Sequence, residues 1–158
     1  MSDPEIEFSI KSDVSLVAFV GRAISALLAG TGMPKQRVAT FELAVVEVVT
    51  NVIEHAYEFD KEKTVELGFR LTAKTAVVEV RDHGQPLPED VIERYTNSNL
   101  KVKEPGENIN DLPVSGWGIS LVAQLCDEVT YRQETDSNVL TLICEIDNPA
   151  DCDIQNAG

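Results

Sequence analysis

FELAVVEVVTNVIEHAY, residues 41–57, carries more structural information than any other stretch of the sequence. No glycine or further proline interrupts residues 35–55, and Pro34 suits the first turn of a helix, so the sequence predicts one long helix there. The side chains of residues 41–57 are apolar around most of the helix circumference. We therefore expect this helix to lie in or near the core of the protein.

Shorter elements are predicted on both sides of the long helix. Residues 6–10 alternate apolar and polar side chains, which is typical of an edge strand. Apolar residues at helical spacing predict a first helix over 13–30, with Ser12 or Asp13 as its cap. Beyond the long helix the sequence predicts two hairpins and two short helices, over residues 64–71 with 75–80, 129–133 with 139–146, 88–95 and 119–126.

The order of these elements, β-α-α-β-β-loop-α-β-β, indicates the fold class. The strands cluster in hairpins rather than alternate singly with helices, which favours a two-layer α+β sandwich over a doubly wound sheet. We expect a mixed, mostly antiparallel sheet that helices cover on one face. A chain of 158 residues suits one hydrophobic core. A single domain is therefore predicted over residues 1–148, followed by a C-terminal tail over 149–158.

Charge and composition exclude several classes of function. The formal net charge of -14 disfavours binding to nucleic acid or to anionic lipid. No apolar run approaches the roughly 20 residues that cross a bilayer, and the acidic first residues lack the features of a secretion signal. A cytoplasmic protein without membrane contact is therefore expected. The three cysteines form no CxxC pair, which indicates reduced structural thiols at Cys126, Cys144 and Cys152.

One strip of the long helix is polar. Four polar side chains share a sector of roughly 100° at helical spacing, namely Glu47, Thr50, Asn51 and Glu54. An ordinary solvated stripe is one interpretation. In the other, Asn51 offers an oxygen to Mg²⁺ while Glu47 accepts a proton from a nucleophile. The functional interpretation requires partner groups elsewhere in the chain.

The first candidate partner is EVRDHG, residues 79–84, at the end of a predicted strand. Asp82 can accept a hydrogen bond from an exocyclic amine, and Gly84 lets the backbone approach a flat ring closely. Asp-x-Gly is also a common turn. This motif alone leaves both interpretations open.

The second candidate partner is SGWGIS, residues 115–120. Gly116 and Gly118 come immediately before a helix predicted to start near Ile119, and the free N–H groups of a helix start can hold phosphate without a positive net charge. A structural turn is the commoner explanation of a lone GxG. Trp117, between the glycines, either caps a nucleotide or shields the helix start.

The order and spacing of these three motifs resemble the Bergerat ATP-binding fold of gyrase, histidine kinases and the anti-sigma serine kinases. The chain is most similar to the small serine-kinase group. ELAVVEVVTNVIEHAY, residues 42–57, resembles the N-box of that group, and SGWGISLVAQLCDEV, residues 115–129, resembles its final glycine box. The resemblance covers about residues 5–147. It departs after Gly84, where Gln85-Pro86 replaces the second glycine of many relatives and leaves the shape of the adenine pocket open.

The resemblance implies a role for each matching position, with ATP and Mg²⁺ as cofactors. By position, Glu47 is the general base, Asn51 holds Mg²⁺, Asp82 receives the adenine amino group and Gly84 lines the adenine pocket. Gly116, Gly118 and the following amide of Ile119 contact the phosphates, and residues 96–115 form the ATP lid. Thr50 either borders the nucleotide or packs the helix.

The resemblance also implies an activity and partners. The implied reaction is ATP:protein serine phosphotransfer onto an anti-sigma-factor antagonist, with a sigma factor as a second partner and a homodimer as the assembly. The sequence leaves two alternatives open: a nonenzymatic binding module gated by nucleotide, and a simple ATPase. The presence of Glu47 favours catalysis over binding alone.

Overall fold

The computed structural model describes residues 3–96 and 117–146, which form one sheet and a layer of helices. The strands are β1 (Glu5–Lys11), β2 (Thr64–Leu71), β3 (Thr75–Asp82), β4 (Glu128–Gln133) and β5 (Asn138–Glu145). The α-helices are α1 (Val17–Leu28), α2 (Lys35–Asn51), α3 (Glu89–Thr96) and α4 (Trp117–Leu125). A 3-10 turn, Val14–Leu16, precedes α1, and a π-helical turn, Val52–Ala56, continues α2.

The five strands lie in the order β1-β2-β3-β5-β4, and neighbouring strands pair antiparallel throughout. Both predicted hairpins are present, as β2 with β3 and β4 with β5. The predicted α+β sandwich is confirmed, although the described strands include no parallel pair. The pairing of β3 with β5 places Asp82 directly opposite Asn138.

One face of the sheet packs against the helices. Side chains of a strand alternate between its two faces, and Val65, Leu67 and Phe69 of β2 are buried while the residues between them are more exposed. In β3, Val78 and Val80 continue this buried face, and α1 and α4 both pack against α2 above it. Asp82 follows Val80 by two positions. Its carboxylate therefore lies on the face of the sheet that the helices cover.

Hydrogen bonds at the start of the 3-10 turn before α1 identify the residue that caps it. Asp13 has an extended backbone, and its Oδ1 accepts hydrogen bonds from Ser15 N at 3.0 Å and Ser15 Oγ at 2.8 Å. Lys61 lies 2.9 Å from Asp13 Oδ2, and the Lys61 and Ser15 donors lower the pKa of the Asp13 carboxyl to about 2. Asp13, rather than Ser12, is the cap. The helix predicted over 13–30 divides into a 3-10 turn and α1.

Two of the three cysteines lie among the described residues. Cys144 is buried, Cys126 is half-buried, and both are free thiols. Burial raises the pKa of the Cys144 thiol to about 11 and raises the pKa of Cys126 further. Both therefore stay protonated at neutral pH, as expected of structural thiols. Cys152 lies outside the described residues.

Within the described ranges, no helix is both long enough and apolar enough to span a lipid bilayer.

Candidate functional site

The polar strip of α2 is half-buried, as Glu47, Thr50 and Asn51 show. Thr50 Oγ1 donates to Val46 O at 2.8 Å, so the hydroxyl is used within the helix. The Glu47 carboxylate makes no hydrogen bond or ion pair within residues 3–96 and 117–146. Glu47 is therefore a sheltered acceptor that is available to an outside group.

Asn51 carries an unsatisfied polar group at the end of α2. Its side-chain nitrogen is buried and has no hydrogen-bond partner in the described part of the chain. Most buried polar side-chain atoms in proteins are paired. The unpaired nitrogen lies one turn after Glu47 on the same helix.

The π-helical turn after Asn51 was not predicted, and it places the end of the long helix against the Asp-x-Gly motif. Turns of this kind often occur at functional sites. Ala56 O, in the turn, accepts a hydrogen bond from Gln85 N at 3.1 Å. A Cβ atom added to Gly84 would lie only 2.3 Å from Ala56 O and 2.7 Å from Ala56 C. Backbone packing against Ala56 therefore requires glycine at position 84.

Substituting Gly84 by alanine is expected to destabilise the protein by about 3 kcal/mol, because overpacking against backbone has no easy relief. The melting temperature should fall by roughly 10 °C for a chain of this size. Gly68→Ala is the matched control, since a Cβ at that position meets its nearest neighbour, Glu79 Cβ, at 3.9 Å. Thermal unfolding measures both variants. Equal melting temperatures for the two would contradict the packing assigned to Gly84.

Asp82 is 7% exposed, and the two oxygens of its carboxylate differ in their surroundings. Oδ1 accepts from Gly84 N at 2.8 Å and from Asn138 Nδ2 at 2.9 Å. Oδ2 has no hydrogen bond from any described residue. Burying a carboxylate costs much free energy unless the carboxylate accepts hydrogen bonds or is paired with a cation. Two donors hold one oxygen, and no described residue donates to the other.

Asn138 is a site residue that the sequence analysis missed. Besides Asp82, its Nδ2 lies 3.2 Å from Gly84 O, and its Oδ1 accepts from Tyr131 Oη at 3.0 Å. Tyr131 Oη in turn accepts from Leu87 N at 3.1 Å. The β4–β5 hairpin therefore holds the segment that follows Asp82. Asn138 is the last residue of ETDSN, residues 134–138, which connect the two strands of the predicted hairpin, and no local signal distinguishes it from a turn residue.

A second tyrosine holds the same segment from the helix side. Tyr57 Oη accepts from His83 N at 2.9 Å and donates to Thr64 O at 2.7 Å. Burial raises the pKa of the Tyr57 phenol and of the Tyr131 phenol, and the nearby Asp82 charge raises both further. Both hydroxyls therefore stay neutral and can donate and accept at once.

The His83 ring lies on the opposite side of the sheet from Asp82. Its Nδ1 is 2.8 Å from Asp136 O, and its Nε2 is 3.4 Å from Glu66 Oε1. The Asp136 carbonyl and the Glu66 carboxylate raise the pKa of His83. His83 therefore joins β2 to the β4–β5 turn and is no part of the site around Asp82.

The glycine-box helix starts earlier than predicted. The sequence indicated a start near Ile119, whereas α4 begins at Trp117, so Gly118 and Ile119 lie in its first turn. Gly116 and residues 97–115 of the predicted lid lie outside the described residues. Because α4 packs against α2, the first turn of α4 belongs to the same helix layer as Glu47 and Asn51.

The chain matches the family described as Histidine kinase-like ATPase domain over residues 10–144. The Serine-protein kinase RsbW of Staphylococcus epidermidis is 27% identical over 131 residues, which cover 82% of this chain and 80% of the relative. RsbW of Halalkalibacterium halodurans is 28% identical over 152 residues, covering 92% of this chain and 89% of the relative. The solved RsbU and RsbW domains of Rv1364c from Mycobacterium tuberculosis give a TM-score of 0.63 at 18% identity, over 92% of this chain and 33% of that chain. At 18% sequence identity, this similarity shows a shared fold only.

Proposed function

We propose that this chain, which belongs to the histidine kinase-like ATPase domain family, is an ATP-dependent protein serine kinase. One observation carries the proposal: the Asp82 carboxylate is buried, with one oxygen held by two donors and the other free to accept. An acceptor in this position suits the exocyclic amine of adenine. Beside Asp82, Gly84 packs closely against the backbone of Ala56 in the π-helical turn.

Glu47 is the proposed general base. Its half-buried carboxylate has no partner within the described ranges, so it remains able to take a proton. In the proposed reaction, Glu47 accepts the proton of a substrate serine hydroxyl as that oxygen attacks the terminal phosphorus of ATP. The bond from that phosphorus to the bridging oxygen breaks, and ADP leaves in line.

The family implies Mg²⁺ together with ATP, and the residues present fit the ion. Mg²⁺ usually takes one or two protein oxygens and completes its shell with phosphate oxygens and waters. Asn51 offers such an oxygen, because no described residue hydrogen-bonds its carboxamide. The described residues hold no cluster of three His, Cys, Asp or Glu side chains that would form an all-protein cage. Asn51 would hold the ion, which would supply charge neutralisation at the phosphates.

The proposed protein substrate is an anti-sigma-factor antagonist, by similarity to the RsbW relatives. The proposed second partner is a sigma factor, which stays inhibited once the antagonist is phosphorylated. The proposed assembly is a homodimer. The proposed partner surfaces are α1, on which Phe19 is 60% exposed, and β1, on which Ile6 is 42% exposed.

The proposed function is tested by incubating the full chain with ATP labelled on its terminal phosphate, with and without a candidate anti-sigma-factor antagonist. A kinase labels the antagonist on serine. A simple ATPase releases phosphate steadily without an acceptor, and a nucleotide-gated binding module binds ATP without turnover. Either of the last two outcomes would overturn the kinase assignment.

Asn51→Ala is expected to weaken ATP binding about tenfold or more in the presence of Mg²⁺ and less than about twofold in EDTA, because it removes an oxygen ligand. Titration calorimetry in the two buffers measures this difference. Thr40→Ala is the matched control on the same helix, since Thr40 Oγ1 donates to Gln36 O at 2.8 Å, far from the strip. Equal losses with and without Mg²⁺ would argue against a metal role for Asn51.

A further inference from the structure

The first residue of β5 is a buried asparagine that contacts the Asp-x-Gly motif directly. Asn138 is 4% exposed and lies opposite Asp82 in the pairing of β3 with β5. Its Nδ2 donates to Asp82 Oδ1 at 2.9 Å and to Gly84 O at 3.2 Å. The amide therefore bridges the carboxylate and the backbone of the loop that follows it.

A chain of hydrogen bonds fixes which end of this amide faces Asp82. Leu87 N can only donate, so Tyr131 Oη accepts from it at 3.1 Å. The Tyr131 hydroxyl proton is then free to go to Asn138 Oδ1, 3.0 Å away. Because the oxygen of the amide is bound to Tyr131, its nitrogen must face Asp82. An amide without such a donor could rotate and present its oxygen instead.

The orientation of the amide determines what Asp82 can recognise. Asn138 Nδ2 and Gly84 N both donate to Oδ1, which fixes the orientation of the carboxylate, and Oδ2 of the ionised carboxylate can act only as an acceptor. We infer that Asn138 is a positioning residue that makes this site selective for a 6-aminopurine nucleotide over a 6-oxopurine nucleotide; the inference rests on the proposed function. In the same pose, an amino group donates to Oδ2 whereas a carbonyl oxygen faces it with no proton to share.

The test compares the affinity of the full chain for ATP and for inosine triphosphate, which carries a 6-carbonyl in place of the 6-amino group. Titration calorimetry on the wild type gives the reference ratio, which is the dissociation constant for inosine triphosphate divided by that for ATP. Asn138→Ala removes the donor, lets the Asp82 carboxylate rotate and should reduce this ratio about tenfold. If Asn138 had a purely structural role, Asn138→Ala would lower the affinity for both nucleotides equally and leave the ratio unchanged.

Tyr131→Phe provides a second variant that preserves the packing of the ring. It removes the hydroxyl that orients Asn138 and should reduce the same ratio by roughly threefold to tenfold. Ser137→Ala is the matched control. Ser137 is also buried beside the β5 start, but its hydroxyl bonds Arg81 at 2.8 Å and Glu134 at 3.1 Å, away from Asp82. Ser137→Ala should keep the wild-type ratio.

The outcomes separate this inference from the proposed function. A lowered ratio in Asn138→Ala and Tyr131→Phe, with an unchanged ratio in Ser137→Ala, supports the positioning role. A wild-type ratio in both of the first two variants overturns that role while ATP binding stands. Failure of the wild type to bind ATP overturns the proposed function itself.

Discussion

Glu47→Gln is expected to slow phosphoryl transfer to the antagonist by about 10²- to 10⁴-fold, while the affinity for ATP changes less than about threefold. Glutamine has nearly the size of glutamate, so the half-buried strip of α2 stays filled. It cannot accept the serine proton. Single-turnover transfer of labelled phosphate measures the chemical step, and titration calorimetry measures ATP binding separately.

Glu42→Gln is the matched control for this substitution. Glu42 lies on the same helix and undergoes the same chemical change, but its Oε2 accepts from Ser25 Oγ in the contact between α1 and α2. Glu42→Gln should transfer phosphate at the wild-type rate. If Glu47→Gln does the same with an authentic antagonist, Glu47 is not the base and the α2 strip serves another purpose.

The sequence predicted those elements that depend on neighbouring residues. The course of α2 followed from a segment after Pro34 that no glycine or further proline interrupts, and the hairpins followed from two strands separated by short turns. The π-helical turn at Val52–Ala56 was missed because a local apolar pattern does not distinguish a π-helical turn from an α-helical one. The start of α4 was also placed two residues late, because glycine was taken to precede the helix, whereas Gly118 lies within it.

The site was predictable only where its residues carry recognisable motifs. Glu47 and Asn51 were candidates because of the spacing of polar groups on one helix, and Asp82 because a predicted strand ends in Asp-x-Gly; in each, the structure shows a polar atom without a hydrogen bond from a described residue. Gly84 was expected to allow close approach of a flat ring, and the structure adds a different reason, the carbonyl of Ala56. Asn138 could not be found, because its bond to Asp82 joins positions 56 residues apart.

Asp82→Asn is expected to weaken ATP binding at least 100-fold, because an amide nitrogen then faces the adenine amine in place of an acceptor. The remaining oxygen can still accept from Gly84 N and Asn138 Nδ2, so the fold keeps these two bonds. The free energy of unfolding should therefore fall by only about 1 kcal/mol. Calorimetry measures the loss of affinity, and urea unfolding measures stability on the same protein.

Asp82→Ala separates the two roles of this carboxylate. It removes the acceptor for Asn138 Nδ2, which is buried, as well as the acceptor for ATP. A buried donor left without a partner costs about 1–3 kcal/mol, so this variant should lose both stability and binding. If both variants bind ATP with near wild-type affinity, the adenine site lies elsewhere. If Asp82→Asn unfolds as readily as Asp82→Ala, the charge of Asp82, rather than its accepted hydrogen bonds, holds the loop to β5.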